Sequence, residues 1–120
     1  MKIQIPVSVG ELLDKITILQ IKSEKTDNKY VRKELESLIN IAKRNSVYLE
    51  NYTYISQLKL VNLKLWDAES ELRRLEASEN FCGRFIELAR SVYKLNDERF
   101  SIKNHINKQH NSEFQEIKIY

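Results

Sequence analysis

Glu76-x-x-Glu79 and Glu113-x-x-Glu116 have the spacing at which two carboxylates on one helix face can share a divalent cation. Magnesium, however, takes several oxygens converging in one concave place. One pair falls at a helix end and the other beside a terminal segment, so a solvated charge cluster is the stronger reading. His105 and His110 are five residues apart, on different helix faces, and neither follows a glutamate by three as a di-iron bundle requires. Cys82, the only cysteine, excludes an intrachain disulfide and a thiolate zinc cluster and reads as a small core hydrophobe. With a histidine it could act as a nucleophile, but nothing in the sequence brings the two together. Gly10 and Gly83, the two glycines, are too few for a loop that lets backbone N–H groups approach a phosphate. No metal, nucleotide or other cofactor is therefore expected.

Arg99 is more informative. It occupies the row Phe81, Phe85, Leu88, Val92, Leu95, Arg99, Ile102, Ile106, whose alternating steps of four and three mark a helix packed against a neighbour. A charge in such a seam must be paired or reach water, because desolvating it alone is expensive. The matching seam is Leu58, Val61, Leu65, Ala68, Leu72 and Leu75. If the two helices turn near residues 77–83, residues that face each other have numbers summing to about 158. Arg99 then falls near Val61, Asn62 near Asn96 and Trp66 near Tyr93, with Glu69 and Lys103 further along the same flank. Two readings fit this convergence. In one it is an internal hydrogen-bonded layer where the first helix docks, Asp14 or Glu24 pairing Arg99. In the other it is a groove walled by Trp66 and Tyr93, in which Arg99, Asn62 and Asn96 hold a small anionic or amide-bearing ligand. The candidate ligand-binding set is thus Asn62, Trp66, Glu69, Tyr93, Asn96, Arg99 and Lys103, and no catalytic residue is assigned.

The fold that must position these groups is mainly α, a helical bundle built on a long antiparallel hairpin of the third and fourth helices. Ser8 followed by Glu11 is a capping box, with Val7 and Leu12 as its hydrophobic staple, and predicts a helix over about 9–25. Leu12, Leu13, Ile16 and Leu19 are its apolar stripe, Ile18 and Ile21 its flank. Val31, Leu35, Leu38, Ile39 and Ala42 predict a second helix that fails near Lys43, Arg44 and Asn45. Residues 46–54, with Tyr48, Tyr52 and Tyr54, fit either a loop or the first turn of helix 3. Leu60, Leu63 and Trp66 lie off the helix 3 seam, which makes its first half central. Helix 4 ends near His110 and Asn111 and is roughly 40 Å long, against ~25 Å for helices 1 and 2. Lys2-Ile3-Gln4-Ile5 and Glu116-Ile117-Lys118-Ile119-Tyr120 alternate polar and apolar residues, predicting short N- and C-terminal strands that pair with each other or with a second subunit.

With 120 residues, 42% hydrophobic and 31% charged, the chain makes a single helical domain over residues 1–120. Its 20 basic and 17 acidic groups are interleaved, so the net charge of +3 builds no single-sign field for a polyanion. Lys25, Lys29, Arg32 and Lys33, with Tyr30 among them, could touch nucleic-acid phosphates. Without a recognition-helix pair or a strongly basic domain they read as a solvated face. No window approaches the ~20 apolar residues of a bilayer span, and no basic-then-apolar leader follows Met1, so the expected location is the cytoplasm and no membrane partner is expected. Leu60, Leu63 and the tyrosines of residues 46–54 lie outside the seam and point to a homo-oligomer, in the simplest case a homodimer, or a protein partner that covers them.

The segments IPVSVGELLDKITIL, LW, LRRLE, FIELARSVYKLNDERFSIKNHIN and EIKIY resemble a family of short bacterial and phage proteins of unknown function. The resemblance covers both ends and most of the second half, with residues 28–53 least distinctive. It implies no activity: Trp66, Arg90, Tyr93, Asn96, Asp97, Arg99 and Lys103 match its pattern without acquiring roles. The segment LNDERFSIKNHI is also similar in spacing to the long helices of helical chorismate mutases. That resemblance implies cations converging on a dicarboxylate, with Arg99 well placed and Lys15, Lys22 and Lys103 as helpers. Two function classes result: a non-catalytic binding or interaction protein, which is favoured, and a small bundle enzyme acting on an anionic metabolite without a bound metal.

Overall fold

The computed structural model describes residues 1–119, and its helices are α1 (Val9–Lys25), α2 (Lys29–Arg44), α3 (Thr53–Ala77) and α4 (Gly83–Gln109). The first amides of a helix have no partner within it, and the way α1 satisfies them sets its position. Ser8 Oγ accepts from the Glu11 N–H at 3.0 Å, as the capping box predicts. The Glu11 carboxylate does not complete the box; it reaches Lys103 Nζ on α4 at 2.8 Å. Two further amides find acceptors 97 and 103 positions away in sequence: Gly10 N–H donates to Asn107 Oδ1 at 2.6 Å, and Val9 N–H to Ser112 Oγ at 3.1 Å. This end of α1 is therefore bolted to the C-terminal end of α4.

From there α1 crosses the α3/α4 hairpin and also carries α2 on its outer side, so it packs against all three other helices. That explains why Leu13, Ile16 and Ile21 are essentially inaccessible, including Ile21, which the sequence places on the flank. The predicted seam of α3 is buried at Leu58, Val61, Leu65, Ala68 and Leu75. Its off-seam residues divide. Asn62 is buried beneath α1, while Leu60 is 53% exposed. The hairpin outruns α1, leaving a main core around Leu13, Ile16, Leu58 and Ile106 and a smaller one of Ala68, Leu75 and Leu88 that is two helices thick. The molecule's long dimension of 48 Å follows from the roughly 40 Å of α4.

Three helices end in the same way. The amides two residues beyond the caps, Val47, Asn80 and Ser112, donate back to the carbonyls of Ala42, Leu75 and Asn107 at 2.8, 2.8 and 2.9 Å. Between them Ser46, Glu79 and Asn111 take φ of 58°, 55° and 50°. This is the Schellman motif, here without the glycine that usually occupies its left-handed position. The last of the three delivers Ser112 to Val9.

Several expectations are corrected. Neither terminal segment forms a strand: among the described residues no strand is found, and Ile3, Ile5, Ile117 and Ile119 are exposed. Alternation marks a strand only where a surface takes its apolar side, and these segments find none. Tyr120, the last residue of the second expected strand, lies outside the described residues. Residues 46–52 are turns and loop, and α3 starts at Thr53. Phe81 precedes α4 and packs edge-on against Phe85, while Cys82, expected in the core, is exposed at the N-cap. No described helix is long and apolar enough to cross a membrane.

The two glycines make opposite predictions. A Cβ on Gly10 would lie 2.6 Å from the Lys103 carbonyl oxygen and 2.8 Å from Asn107 Oδ1, whereas one on Gly83 would meet nothing within 4 Å. Gly10→Ala is expected to cost about 2 kcal/mol by overpacking, and Gly83→Ala to add about 0.5 kcal/mol by restricting the unfolded chain. Urea unfolding of both variants measures the contrast.

Candidate functional site

The Asp14 carboxylate, 1% exposed, lies where α1 crosses the hairpin. Burying a charge without a partner costs several kcal/mol, and the partner is Arg99. Its Nε donates to Asp14 Oδ1 at 2.9 Å and its Nη2 to Oδ2, a two-pronged ion pair. Asn62 Nδ2 donates from α3 to Asp14 Oδ1 and to Thr17 Oγ1, both at 2.9 Å. The Thr17 hydroxyl donates to the Asp14 carbonyl at 2.8 Å. Among the described residues every buried side-chain nitrogen and oxygen has a partner. The hydrogen bonds to Asp14 hold the Arg99 guanidinium pKa above its usual value, against the opposing effect of burial.

One turn further along α4, the Lys103 ammonium has only 8% of its side chain exposed and lies between two carboxylates. Glu11 Oε2 of α1 accepts from it at 2.8 Å, and Glu116 Oε2 of the C-terminal segment at 3.1 Å. Burial, the largest single influence, pulls the Lys103 pKa down, but the hydrogen bonds to Glu11 and Glu116 together with the charges of Asp14 and Glu11 outweigh it, and the pKa is raised. The same C-terminal segment brings Lys118 Nζ to Asp97 Oδ1 at 2.9 Å and over the Phe100 ring. Between α4, the start of α1 and this segment lies a cleft of about 780 Å³. Tyr93, Asn96, Phe100, Arg99 and Lys103 line one side of it, and Glu11, Glu116 and Lys118 the other.

A model for a family of unknown function (DUF6165) matches residues 1–120. The chain belongs to DUF6165. No curated protein and no solved structure matches it. Membership agrees with the resemblance to a family of unknown function, and the match extends across residues 28–53, where that resemblance is least distinctive.

Of the seven candidate residues in this DUF6165 chain, the structure gathers Tyr93, Asn96, Arg99 and Lys103 on the cleft. The other three lie elsewhere. Asn62 is buried below it, bonded to Asp14 and Thr17. The Trp66 ring is covered by Lys25 Nζ at 5.4 Å, which also takes Lys25 out of the basic set near helix 2. Glu69 is exposed on α3 outside the cleft lining. Of the two expected arrangements, the hydrogen-bonded layer is built, with Asp14 pairing Arg99 while Glu24 pairs Lys59 at 2.7 Å. Sequence reasoning missed Glu11, Asp97, Phe100, Glu116 and Lys118 as lining residues. In the sequence Glu11 reads as part of the helix cap and Lys118 as part of a strand; Phe100 follows Arg99 directly, one residue off the seam, and that offset is the available signal.

Arg99→Met would leave the Asp14 charge buried without its partner, and a loss of about 3 kcal/mol is expected in denaturant titration. Lys103→Met carries a pH signature. Because the Lys103 pKa is raised on folding, its contribution is complete below the ordinary lysine value of about 10.4 and disappears as pH climbs through the raised value. The stability gap between wild type and Lys103→Met should be constant from neutral pH to about pH 10 and narrow above it.

Proposed function

We propose that the chain is a non-catalytic binding protein that takes a small anionic ligand in the cleft beside α4, at Lys103 and Arg99, by displacing Glu116. The observation that carries this reading is the Glu116 carboxylate itself. It occupies the position on a buried cation where an anion would bind, and it comes from a segment without regular structure. A rim ion pair with a half-exposed carboxylate is worth no more than about 1 kcal/mol, so a ligand carboxylate or phosphate can replace it. The Arg99 guanidinium has donors left after its bonds to Asp14, and Asn96 Oδ1 stands 3.5 Å from Nη1. Phe100 and Tyr93 supply apolar wall, and the volume is in the range of small-molecule sites.

The enzyme reading is less well supported. Of the four cations that a chorismate-mutase-like reaction would draw on, Lys15 and Lys22 are exposed on α1, Lys15 lying 3.9 Å from Glu34 of α2. Only Arg99 and Lys103 among them line the cleft. Two of the four cations are thus too far away to converge on a dicarboxylate.

The test is thermal melting with citrate and with inorganic phosphate at millimolar concentration, on wild type, Glu116→Gln and Lys103→Met. Glu116→Gln should bind the effective anion about fivefold more tightly, the equivalent of roughly 1 kcal/mol. Lys103→Met should show only the general stabilisation these salts give any folded protein. Equal responses in all three proteins would rule the site out.

A further inference from the structure

The C-terminal segment makes two charged contacts of opposite sign with α4, two residues apart. Glu116 Oε2 reaches Lys103 Nζ at 3.1 Å, and Lys118 Nζ reaches Asp97 Oδ1 at 2.9 Å. Side chains two positions apart on an extended chain point the same way, so both turn toward α4 while Ile117 between them is 76% exposed. The second contact is a formed seat for an ammonium group. Lys118 Nζ lies 5.4 Å from the centre of the Phe100 ring, whose face attracts a cation, and 17% of the Lys118 side chain is exposed. Asp97 and Lys103 are separated by about 9 Å along the helix axis, and Phe100 lies between them on the cleft wall. Ile117 takes no part in that wall, so the segment spans the two seats without its middle side chain filling the space between them.

The charges decide what can take the place of this segment. Arg99 is paired with buried Asp14, so lifting the segment away leaves the carboxylates of Glu11 and Asp97 facing the Lys103 ammonium. A purely anionic group can replace Glu116 while Lys118 stays on Asp97. It cannot replace both contacts, because Asp97 would then face a like charge. We infer that the cleft takes a small zwitterion, its acid at Lys103, its ammonium in the Lys118 seat on Asp97 and Phe100, and an apolar body spanning the two. This rests on the anion site proposed above and names its ligand class. The C-terminal segment is a built-in competitor that imitates both ends of the ligand. A tethered competitor acts at an effective concentration on the order of millimolar. The ligand offsets that advantage by burying apolar surface against Phe100 and Tyr93, the latter 57% exposed.

Isothermal titration calorimetry at fixed ionic strength tests this with γ-aminobutyrate, ε-aminohexanoate and ω-aminooctanoate, each beside the amine-free acid of the same length. In wild type at least one amino acid should bind about tenfold more tightly than its amine-free counterpart. Asp97→Asn, and separately Phe100→Leu, should bring that ratio down toward unity. The Asp97 side chain is 62% exposed, so the helical circular dichroism of Asp97→Asn should match wild type. Lys103→Met should abolish binding of the amino acids and the amine-free acids alike. If the amine-free acids bind through Lys103 and no amino acid gains over its counterpart, the anion site stands and the zwitterion is overturned. A gain that persists in Asp97→Asn overturns it as well. No binding at all, or binding that Lys103→Met leaves unchanged, overturns both.

Discussion

A carboxylate buried as completely as that of Asp14 keeps its charge only if a cation follows it into the interior, and this requirement fixes how α1 lies on the hairpin. Asp14 is bound from both sides, by Arg99 on α4 and by Asn62 on α3. A slide of α1 by one turn would set the carboxylate against Leu95 or Lys103 and leave Arg99 in an apolar seam. Buried ion pairs add little net stability compared with well-packed hydrophobes. Their effect here is to make one register far better than its neighbours, while Leu13, Ile16 and Leu58 supply the bulk of the burial. The cleft inherits this arrangement, since the α1 register also carries Glu11 to Lys103 and Gly10 to the Lys103 carbonyl.

Much of this was legible in the sequence. The capping box at Ser8 placed the start of α1, the two heptad rows gave the hairpin, and an arginine in an apolar row announced a buried partner on the first helix. What was not legible depended on distant contacts. Three helix ends are Schellman turns whose left-handed residues are Ser46, Glu79 and Asn111, so the usual glycine signal was missing. Nothing local says that Asn107 and Ser112 accept the first amides of α1, because any polar residue near a helix end reads as solvated. The terminal alternation was over-read: Glu116 and Lys118 use their charged ends on α4, and Ile117 and Ile119 point away.

The candidate site shows the same division. Tyr93, Asn96, Arg99 and Lys103 share one helix face, so helical spacing alone grouped them. Trp66 and Asn62 were assigned to the same groove by the facing register of the hairpin, which was sound for the two helices and silent about the third. Once α1 is laid across that face it takes Asn62 for Asp14 and places Lys25 on Trp66. The groove that remains is the part α1 does not reach, on the α4 side only.

The bolt between Val9, Gly10, Asn107 and Ser112 also has a temporal meaning. During synthesis at roughly 5–20 residues per second, α1 emerges first and waits several seconds for the residues that complete it. The α3/α4 hairpin can close on local contacts as soon as it leaves the ribosome, but the bolt cannot close until Ser112 is outside the exit tunnel. Until α3 and α4 emerge, the apolar stripe of α1 has only α2 for cover. During that interval α1 is the helix most open to chaperone capture and proteolysis, and a chain stalled before residue 112 lacks the hydroxyl that takes the Val9 amide.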